Sequence, residues 1–219
     1  MTAPLGLADQ RVQWRTWANL ITLIRTVAAI VLGVIAIVQV SVPMLALAYG
    51  VYWVGDSADG NAARILKQET RFGAVFDILC DRANSSLLLV GLLAMHHEFA
   101  WPLGIYFVQF MVIDLVLTLS FLLWPLVSPN HYYLVDRTVY RWNWSVPAKT
   151  ANTTLLILLL LASDQWGLPV WVVSLVAVAQ LAVKIVSSFR VYHLITELES
   201  SPAAVHGAGL LPLTEMARA

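Results

Sequence analysis

The side chains best suited to chemistry in this chain are four aspartates within residues 56–81. Two of them are three positions apart and the other two are four apart, so each pair shares one face if its segment is helical. Carboxylates that converge repel one another unless some are protonated or a cation lies among them. Aspartate oxygens favour Mg²⁺ or Mn²⁺ over Zn²⁺, and four carboxylates can hold two such ions on a phosphate. We therefore expect a site for two Mg²⁺ or Mn²⁺ ions, with the ligands Asp56, Asp59, Asp77 and Asp81.

The composition indicates which class of protein must position these carboxylates. The 219 residues are 59% hydrophobic and only 12% charged, and the mean hydropathy is +0.75. Soluble domains carry about twice that share of charge, so a water-soluble globule and a disordered chain are both excluded. The formal net charge is zero, which gives no broad basic field and predicts no nucleic-acid partner. A single cysteine, Cys80, excludes a disulfide framework and a cysteine-based zinc site.

The apolar segments predict an all-α integral membrane protein with six transmembrane helices. They lie at approximately 20–40, 43–53 and onward, 72–95, 102–127, 150–163 and 168–192. The second must continue into the polar stretch that holds the first two aspartates. We expect an interfacial segment at 1–18 that includes a short surface helix, a membrane domain at 19–195 and a flexible tail at 196–219.

The basic residues predict the orientation of these spans. With the N-terminus inside, all 13 Lys and Arg residues fall on the inner side, and the three opposite loops carry only Glu98 and Asp164. Positive residues stay on the cytoplasmic side of a membrane. We therefore expect an integral protein of the cytoplasmic membrane, with both termini and the aspartate site facing the cytoplasm.

The aspartates allow two other interpretations. In the first, they cap helices or pair with nearby arginines. Asp77 and Asp81 argue against it, because they lie in an apolar span, where ionised groups are costly and usually functional. In the second, the chain is a small transporter, which would place ionisable groups deep in several spans. Outside the aspartate segment only Asp114 lies deep in a span, so transport is a remote alternative.

The spacing of the aspartates and their neighbours resembles the signature of the CDP-alcohol phosphotransferase family. The segment reads D-x-x-D-G-x-x-A-R-x8-G-x3-D-x3-D from Asp56 to Asp81. The resemblance implies transfer of a phosphatidyl group from CDP-diacylglycerol to an alcohol, with release of CMP, in phospholipid biosynthesis. It also implies a homodimer in the lipid membrane.

The same resemblance implies roles for individual residues. Asp56, Asp59 and Asp77 would bind two divalent ions, whereas Asp81 would contribute to metal binding and act as the general base. The CDP pocket would include Gly60, Ala63, Arg64 and Gly73. These roles agree with phosphoryl-transfer chemistry, which depends on positioning and charge neutralisation.

The alcohol acceptor is expected to bind basic side chains near the cytoplasmic ends of the later spans, because cations suit a phosphorylated acceptor. The candidates are Arg137, Arg141, Lys149, Lys184 and Arg190. For the two loop arginines, topology and lipid headgroup contact are the alternative, and for Lys184 it is snorkelling.

Two short resemblances to phosphatidylglycerophosphate synthases favour glycerol 3-phosphate as the acceptor. The first span opens N-x-x-T-x-x-R at Asn19, Thr22 and Arg25, and the fifth begins with the pair Lys149-Thr150. The residues around that pair and the aromatic loop at 131–144 depart from the subfamily. Inositol phosphate and phosphatidylglycerol are therefore the alternative acceptors.

Overall fold

A computed structural model describes residues 13–200, apart from the side chains at 153, 154, 161 and 199. The described residues are helical and contain no β-strand, which confirms the all-α prediction. The α-helices are α1 Trp17–Val38, α2 Val42–Ile65, α3 Arg71–Met95, α4 Ala100–Val108, α5 Asp114–Leu119, α6 Arg137–Asn143, α7 Val146–Trp166 and α8 Val170–Ser200. A π-helical turn, Gln109–Ile113, joins α4 to α5, and 3₁₀ turns lie at His97–Phe99, Ser120–Leu123 and Pro129–Leu134.

Five helical segments in the described part of the chain are long and apolar enough to span a membrane. They are Trp17–Val38, Arg71–Met95, His97–Leu123, Val146–Trp166 and Val170–Leu198. Helix α2 has 24 residues but carries Asp56, Asp59 and Arg64 in its second half, and it is not among the five. The five segments agree with five of the six predicted spans, whereas the sixth span and the orientation stay predictions.

The beginnings of α1 and α3 are set by threonine caps. Thr16 accepts a hydrogen bond from the Asn19 amide at 3.1 Å, and Thr70 accepts one from the Gly73 amide at 2.9 Å. Such caps satisfy amides that have no partner within the helix. Residues 13–16 precede α1 without helical structure. The rest of the predicted interfacial segment and most of the predicted tail lie outside the described residues, and α8 continues to Ser200.

A tight reversal between α2 and α3 aligns the two aspartate pairs. Helix α2 ends at Ile65, and Lys67 then adopts a left-handed conformation with φ of 53°. The Gln68 amide donates to the Ala63 carbonyl at 2.8 Å, which closes the helix end in the manner of a Schellman motif. Because α3 begins only a few residues later, the C-terminal half of α2 lies beside the N-terminal half of α3.

Small residues bring α1, α2 and α3 into close contact. A Cβ atom added at Gly33 of α1 would lie 2.8 Å from a methyl carbon of Leu87 on α3. One added at Gly91 of α3 would lie 2.9 Å from Leu45 of α2 and 3.1 Å from Ile37 of α1. Small residues allow membrane helices to approach closely. The three helices therefore form a tight group that carries every aspartate of the signature.

The described residues divide into two compact units, 13–107 and 108–200. The second unit contains an aromatic core built from the tyrosine- and tryptophan-rich segment. The ring of Tyr132 stacks on Trp144 at 4.5 Å between centroids and meets Trp124 edge-on at 5.5 Å. Its hydroxyl shares a 2.9 Å hydrogen bond with Ser120, and burial raises the pKa of Tyr132 above its ordinary value. The ring of Tyr132 is therefore part of the packed interior.

Candidate active site

Helices α2 and α3 bring the four signature aspartates together. Asp56 and Asp59 lie in the second half of α2, and Asp77 and Asp81 lie in the first half of α3. Carboxylate oxygens of Asp56, Asp59 and Asp77 all lie within 4.8 Å of one another. Asp81 lies outside that group of three, one helical turn further along α3 from Asp77. The site therefore has three clustered carboxylates and a fourth beside them.

An arginine on α1 binds all four carboxylates. Nε of Arg25 donates to Asp59 at 2.7 Å, and Nη2 donates to Asp77 at 2.5 Å and to Asp81 at 2.9 Å. A longer contact of 3.4 Å joins Nη2 to Asp56. The side chain of Arg25 is only 3% exposed, so these contacts form away from solvent. One guanidinium therefore partly neutralises the whole acidic cluster.

The four aspartate side chains differ in solvent exposure. The side chain of Asp59 is 4% exposed, whereas Asp56 is 41%, Asp77 is 38% and Asp81 is 28% exposed. The same oxygen of Asp59 that accepts from Arg25 also accepts from the Thr22 hydroxyl at 2.6 Å. Asp59 is therefore held by α1, and the other three carboxylates face an accessible side.

Two residues of α2 lie against Arg25. A Cβ atom at Gly55 would overlap the Arg25 side chain, so only glycine fits there without a shift. The guanidinium carbon lies 5.4 Å from the ring centroid of Tyr52, within the range of a cation–π contact. Nη1 of Arg25 is buried and has no hydrogen-bond partner among the described residues.

The donor set of the cluster fits a divalent ion. Three carboxylate oxygens within 4.8 Å of one another can converge on one cation, and oxygen-only ligation suits Mg²⁺ or Mn²⁺. Asp56 and Asp77 are also open on one side, which leaves coordination positions for a substrate phosphate. The site that the spacing predicted is therefore chemically suited to the expected ions.

The residues expected at the CDP pocket lie along α2 and at the start of α3. Gly60 lies beside the Arg64 guanidinium, since a Cβ there would be 3.4 Å from Nη1 of Arg64. Arg64 is exposed and donates to Asn61 at 3.0 Å, and Ala63 is half-buried. A Cβ at Gly73 would lie 2.9 Å from the Asn19 side-chain oxygen on α1. Gly73 therefore permits close helix contact, whereas Gly60 keeps the surface beside Arg64 open.

A groove of about 480 Å³ runs between α1 and α2 and reaches the Arg25 side chain. Its walls are almost entirely apolar and include Ile21, Ile24, Leu47 and Val54. An apolar groove that ends at a charged cluster can hold an amphiphile with its polar group at the cluster.

Among the candidate acceptor residues, Lys184 is buried within the second unit. Its side chain is 3% exposed and forms an ion pair with Asp114 at 2.6 Å. It also donates to Asn143 at 2.9 Å, and Asn143 in turn donates to Ser187 at 2.9 Å. Asp114, the deep acid on which a transport pathway would depend, is therefore bound to a lysine.

The other candidate cations are more accessible. Arg190 is 49% exposed and donates to Asp136 at 2.8 Å. It also lines a groove of about 440 Å³ with Trp142 and His193. Lys149 is exposed and donates to Asn130 at 2.6 Å. The remaining two, both exposed, lie at the ends of α6: Arg137 and Arg141.

Sequence reasoning did not assign Arg25 to the site. The signal was present, because a charged residue in an apolar span needs a partner and four carboxylates need a cation. Thr22, three residues earlier on the same helix, lies on the same face as Arg25. The N-x-x-T-x-x-R pattern resembles a subfamily feature, and in the structure two of its three residues contact Asp59.

Comparisons with known proteins agree with the signature. A family model described as CDP-alcohol phosphatidyltransferase matches residues 15–186. Over 41 residues the chain is 51% identical to the CDP-diacylglycerol–inositol 3-phosphatidyltransferases of Homo sapiens and Rattus norvegicus. These matches cover 19% of this chain and 19% of each relative, so the chain spans about a fifth of the length of the relatives that it matches. No solved structure matches the chain.

Proposed function

We propose that this chain, which belongs to the CDP-alcohol phosphatidyltransferase family, transfers the phosphatidyl group of CDP-diacylglycerol to an alcohol and releases CMP. The observation that carries the proposal is the convergence of the four signature aspartates on one buried arginine. The family assignment supplies the reaction class, and the cluster supplies groups that can bind and orient a charged diphosphate.

In this proposal, Asp56, Asp59 and Asp77 hold two divalent ions, Mg²⁺ or Mn²⁺, which neutralise charge on the diphosphate when they are bound. Asp81 accepts the proton of the acceptor hydroxyl. The hydroxyl oxygen then bonds to the phosphatidyl phosphorus, and the bond from that phosphorus to the CMP oxygen breaks. The position of Asp81 outside the group of three carboxylates supports its separate role.

The donor lipid is proposed to bind along α1 and α2. The apolar groove of about 480 Å³ suits an acyl chain, and its contact with Arg25 leads to the acidic cluster. Gly60, Ala63, Arg64 and Gly73 would form the CDP pocket, where exposed Arg64 offers a cation to a phosphate. The membrane would then hold the diacylglycerol part while the cytoplasmic surface holds the nucleotide.

The acceptor that we propose first is glycerol 3-phosphate, because of the pattern in α1 and the Lys149-Thr150 pair. Free inositol is the second candidate, because the curated relatives are inositol 3-phosphatidyltransferases. Inositol phosphate and phosphatidylglycerol stay as further alternatives. The N-x-x-T-x-x-R pattern of α1 gives little information about which acceptor binds. Its Thr22 and Arg25 contact Asp59, which belongs to the signature and not to an acceptor pocket.

Exposure favours some acceptor residues over others. A phosphorylated acceptor needs a cation that it can reach, which favours Arg190, with its adjoining groove, together with Arg137, Arg141 and Lys149. The burial of Lys184 and its ion pair with Asp114 favour a structural role for that lysine.

An acceptor panel tests the proposal directly. Purified protein in mixed micelles is given CDP-diacylglycerol, Mg²⁺ or Mn²⁺, and one acceptor at a time: glycerol 3-phosphate, inositol, inositol phosphate, phosphatidylglycerol or serine. We expect CMP and a new phospholipid with one acceptor, and no product with EDTA. Absence of CMP with the whole panel would contradict the enzymatic assignment.

Two matched Asp→Asn variants test whether CMP release depends on the acidic cluster. Asp56→Asn removes a carboxylate of the cluster and should abolish CMP release. Asp164→Asn makes the same chemical change at an exposed position that the signature does not include, and it should leave CMP release unchanged. Equal activity in the two variants would count against the acidic cluster as the active site.

A further inference from the structure

Arg25 has two separate sets of contacts in the acidic cluster. Its Nε is bound to Asp59, which is buried and also held by Thr22. Its Nη2 instead lies among the three more open carboxylates, with Asp77 at 2.5 Å, Asp81 at 2.9 Å and Asp56 at 3.4 Å. One nitrogen thus anchors α1 to α2, and another neutralises the accessible side of the cluster.

Nη2 contacts two of the three carboxylates that could hold a divalent ion. Oxygens of Asp56, Asp59 and Asp77 lie within 4.8 Å of one another, and Nη2 donates to Oδ1 of both Asp56 and Asp77. A carboxylate lone pair that accepts a hydrogen bond from a guanidinium is not available to a metal ion. Two cations a few ångströms apart also repel each other strongly in a partly buried site.

The surroundings of Arg25 allow Nη2 to leave while Nε stays. Gly55 packs against the aliphatic part of the Arg25 side chain and not against its guanidinium, and the face of Tyr52 offers the guanidinium a cation–π contact. Nη1 is buried without a hydrogen-bond partner among the described residues, and the groove between α1 and α2 borders this side chain. The guanidinium is planar and rigid, so changes in the aliphatic torsions of Arg25 would have to pivot the whole group about the Nε–Asp59 hydrogen bond and swing Nη2 away from the open carboxylates.

We propose that Arg25 is a positioning residue that holds Asp59 through Nε and competes through Nη2 with the divalent ion for Asp56, Asp77 and Asp81. Arg25 neutralises the cluster when no metal is bound, and it yields the open carboxylates to the ion on binding. Its freed donors then face the phosphate groups of the donor lipid. This inference rests on the proposed function, because it requires a divalent ion at the cluster.

A metal-binding measurement that needs no enzymatic turnover tests whether Arg25 competes with the divalent ion for the carboxylates. Free Mn²⁺ is measured by electron paramagnetic resonance during titration of the wild type, Arg25→Met and Arg15→Met, all in detergent. Methionine keeps much of the length of arginine and removes the charge, and Arg15 is an exposed arginine of the same unit. We expect Arg25→Met to bind Mn²⁺ at least about tenfold more tightly than the wild type, because a nearby positive charge is lost. Arg15→Met should match the wild type.

Thermal unfolding of the same proteins provides a second measurement. Without metal, Arg25→Met should unfold at a lower temperature than the wild type, because four carboxylates then lack their cation. Saturating Mn²⁺ should raise its unfolding temperature more than it raises that of the wild type. Equal or weaker Mn²⁺ binding by Arg25→Met would overturn the competition while leaving the metal site intact. Absence of Mn²⁺ binding in both proteins would instead overturn the proposed metal-dependent function.

If Arg25→Met does not fold, the competition between Arg25 and the metal ion can be tested on the wild type. Its structure is determined with and without saturating Mn²⁺. We expect Nη2 beyond hydrogen-bond distance of Asp77 and Asp81 when Mn²⁺ is bound, with Nε still on Asp59. Mn²⁺ bound to the cluster while Nη2 keeps both contacts would overturn the proposal.

Discussion

Gly55 of α2 lies directly against the Arg25 side chain of α1, with no space for a Cβ atom between them. The contact lies one residue before Asp56 and four before Asp59. The backbone of α2 can therefore approach α1 closely enough for Arg25 to reach carboxylates on both α2 and α3. The position of a glycine thus controls the geometry of the charged site.

Gly55→Ala is expected to damage the site through this contact. The new methyl group must displace Arg25 or α2, and overpacking of this kind costs about 1–3 kcal/mol. A displacement of about 1 Å in a catalytic site can lower turnover by about a hundredfold. We expect CMP release to fall toward that limit and the unfolding temperature to fall with it. Gly104→Ala is the control, since a Cβ atom there meets nothing within 4 Å; equal effects of the two changes would refute this reasoning.

Asp81→Asn tests whether Asp81 acts as the general base or as a metal ligand. The amide cannot accept the acceptor proton as a carboxylate does, and loss of a general base lowers turnover by about 10²–10⁴-fold. Binding of CDP-diacylglycerol with Mn²⁺, measured by calorimetry, should persist. If binding is lost together with turnover, Asp81 acts chiefly as a metal ligand.

Lys184→Met tests whether that lysine is structural. The change leaves Asp114 buried without its cation, and breaking a buried ion pair costs about 3–5 kcal/mol. We expect a large fall in the unfolding temperature in detergent and a substantial recovery in the double variant Lys184→Met/Asp114→Leu. Lys149→Met, which changes an exposed lysine, should unfold like the wild type. If the double variant folds but has a greatly raised KM for the acceptor, the result would indicate that Lys184 binds the acceptor.

Val40→Gly is expected to stabilise the turn between α1 and α2. Val40 has φ of 49°, and a left-handed conformation costs a residue with a Cβ atom about 1–2 kcal/mol. The residue is 70% exposed, so little burial is lost. Part of the gain is offset by the greater freedom of glycine in the unfolded chain, which leaves a net increase of about 0.5–1 kcal/mol. Val40→Ala keeps the Cβ atom and should gain less; a ranking with alanine above glycine would contradict the role of φ.

Local patterns in the sequence were sufficient for much of the fold. Apolar segments of about 20 residues mark membrane helices because the bilayer imposes that length, and five of them agree with helices in the structure. The second predicted span is the exception: Asp56 and Asp59 lower its hydropathy, so length and composition do not mark α2 as a span. The two aspartates that α2 contributes to the acidic cluster thus also lower the hydropathy by which a membrane span is recognised.

The acidic signature can be recognised from sequence, because the spacing of Asp56, Asp59, Asp77 and Asp81 is a local property of two helices and one short turn. The identity of the cation that binds these aspartates depends on how α1 packs against α2 and α3. Arg25 is 56 positions from Asp81, and Lys184 lies far along the chain from Asp114. A contact between distant residues depends on how helices pack, and glycines that permit close packing carry no information about which side chain will fill the space. The acidic cluster was therefore predictable from its spacing, whereas its arginine could be identified only when α1 was seen against α2 and α3.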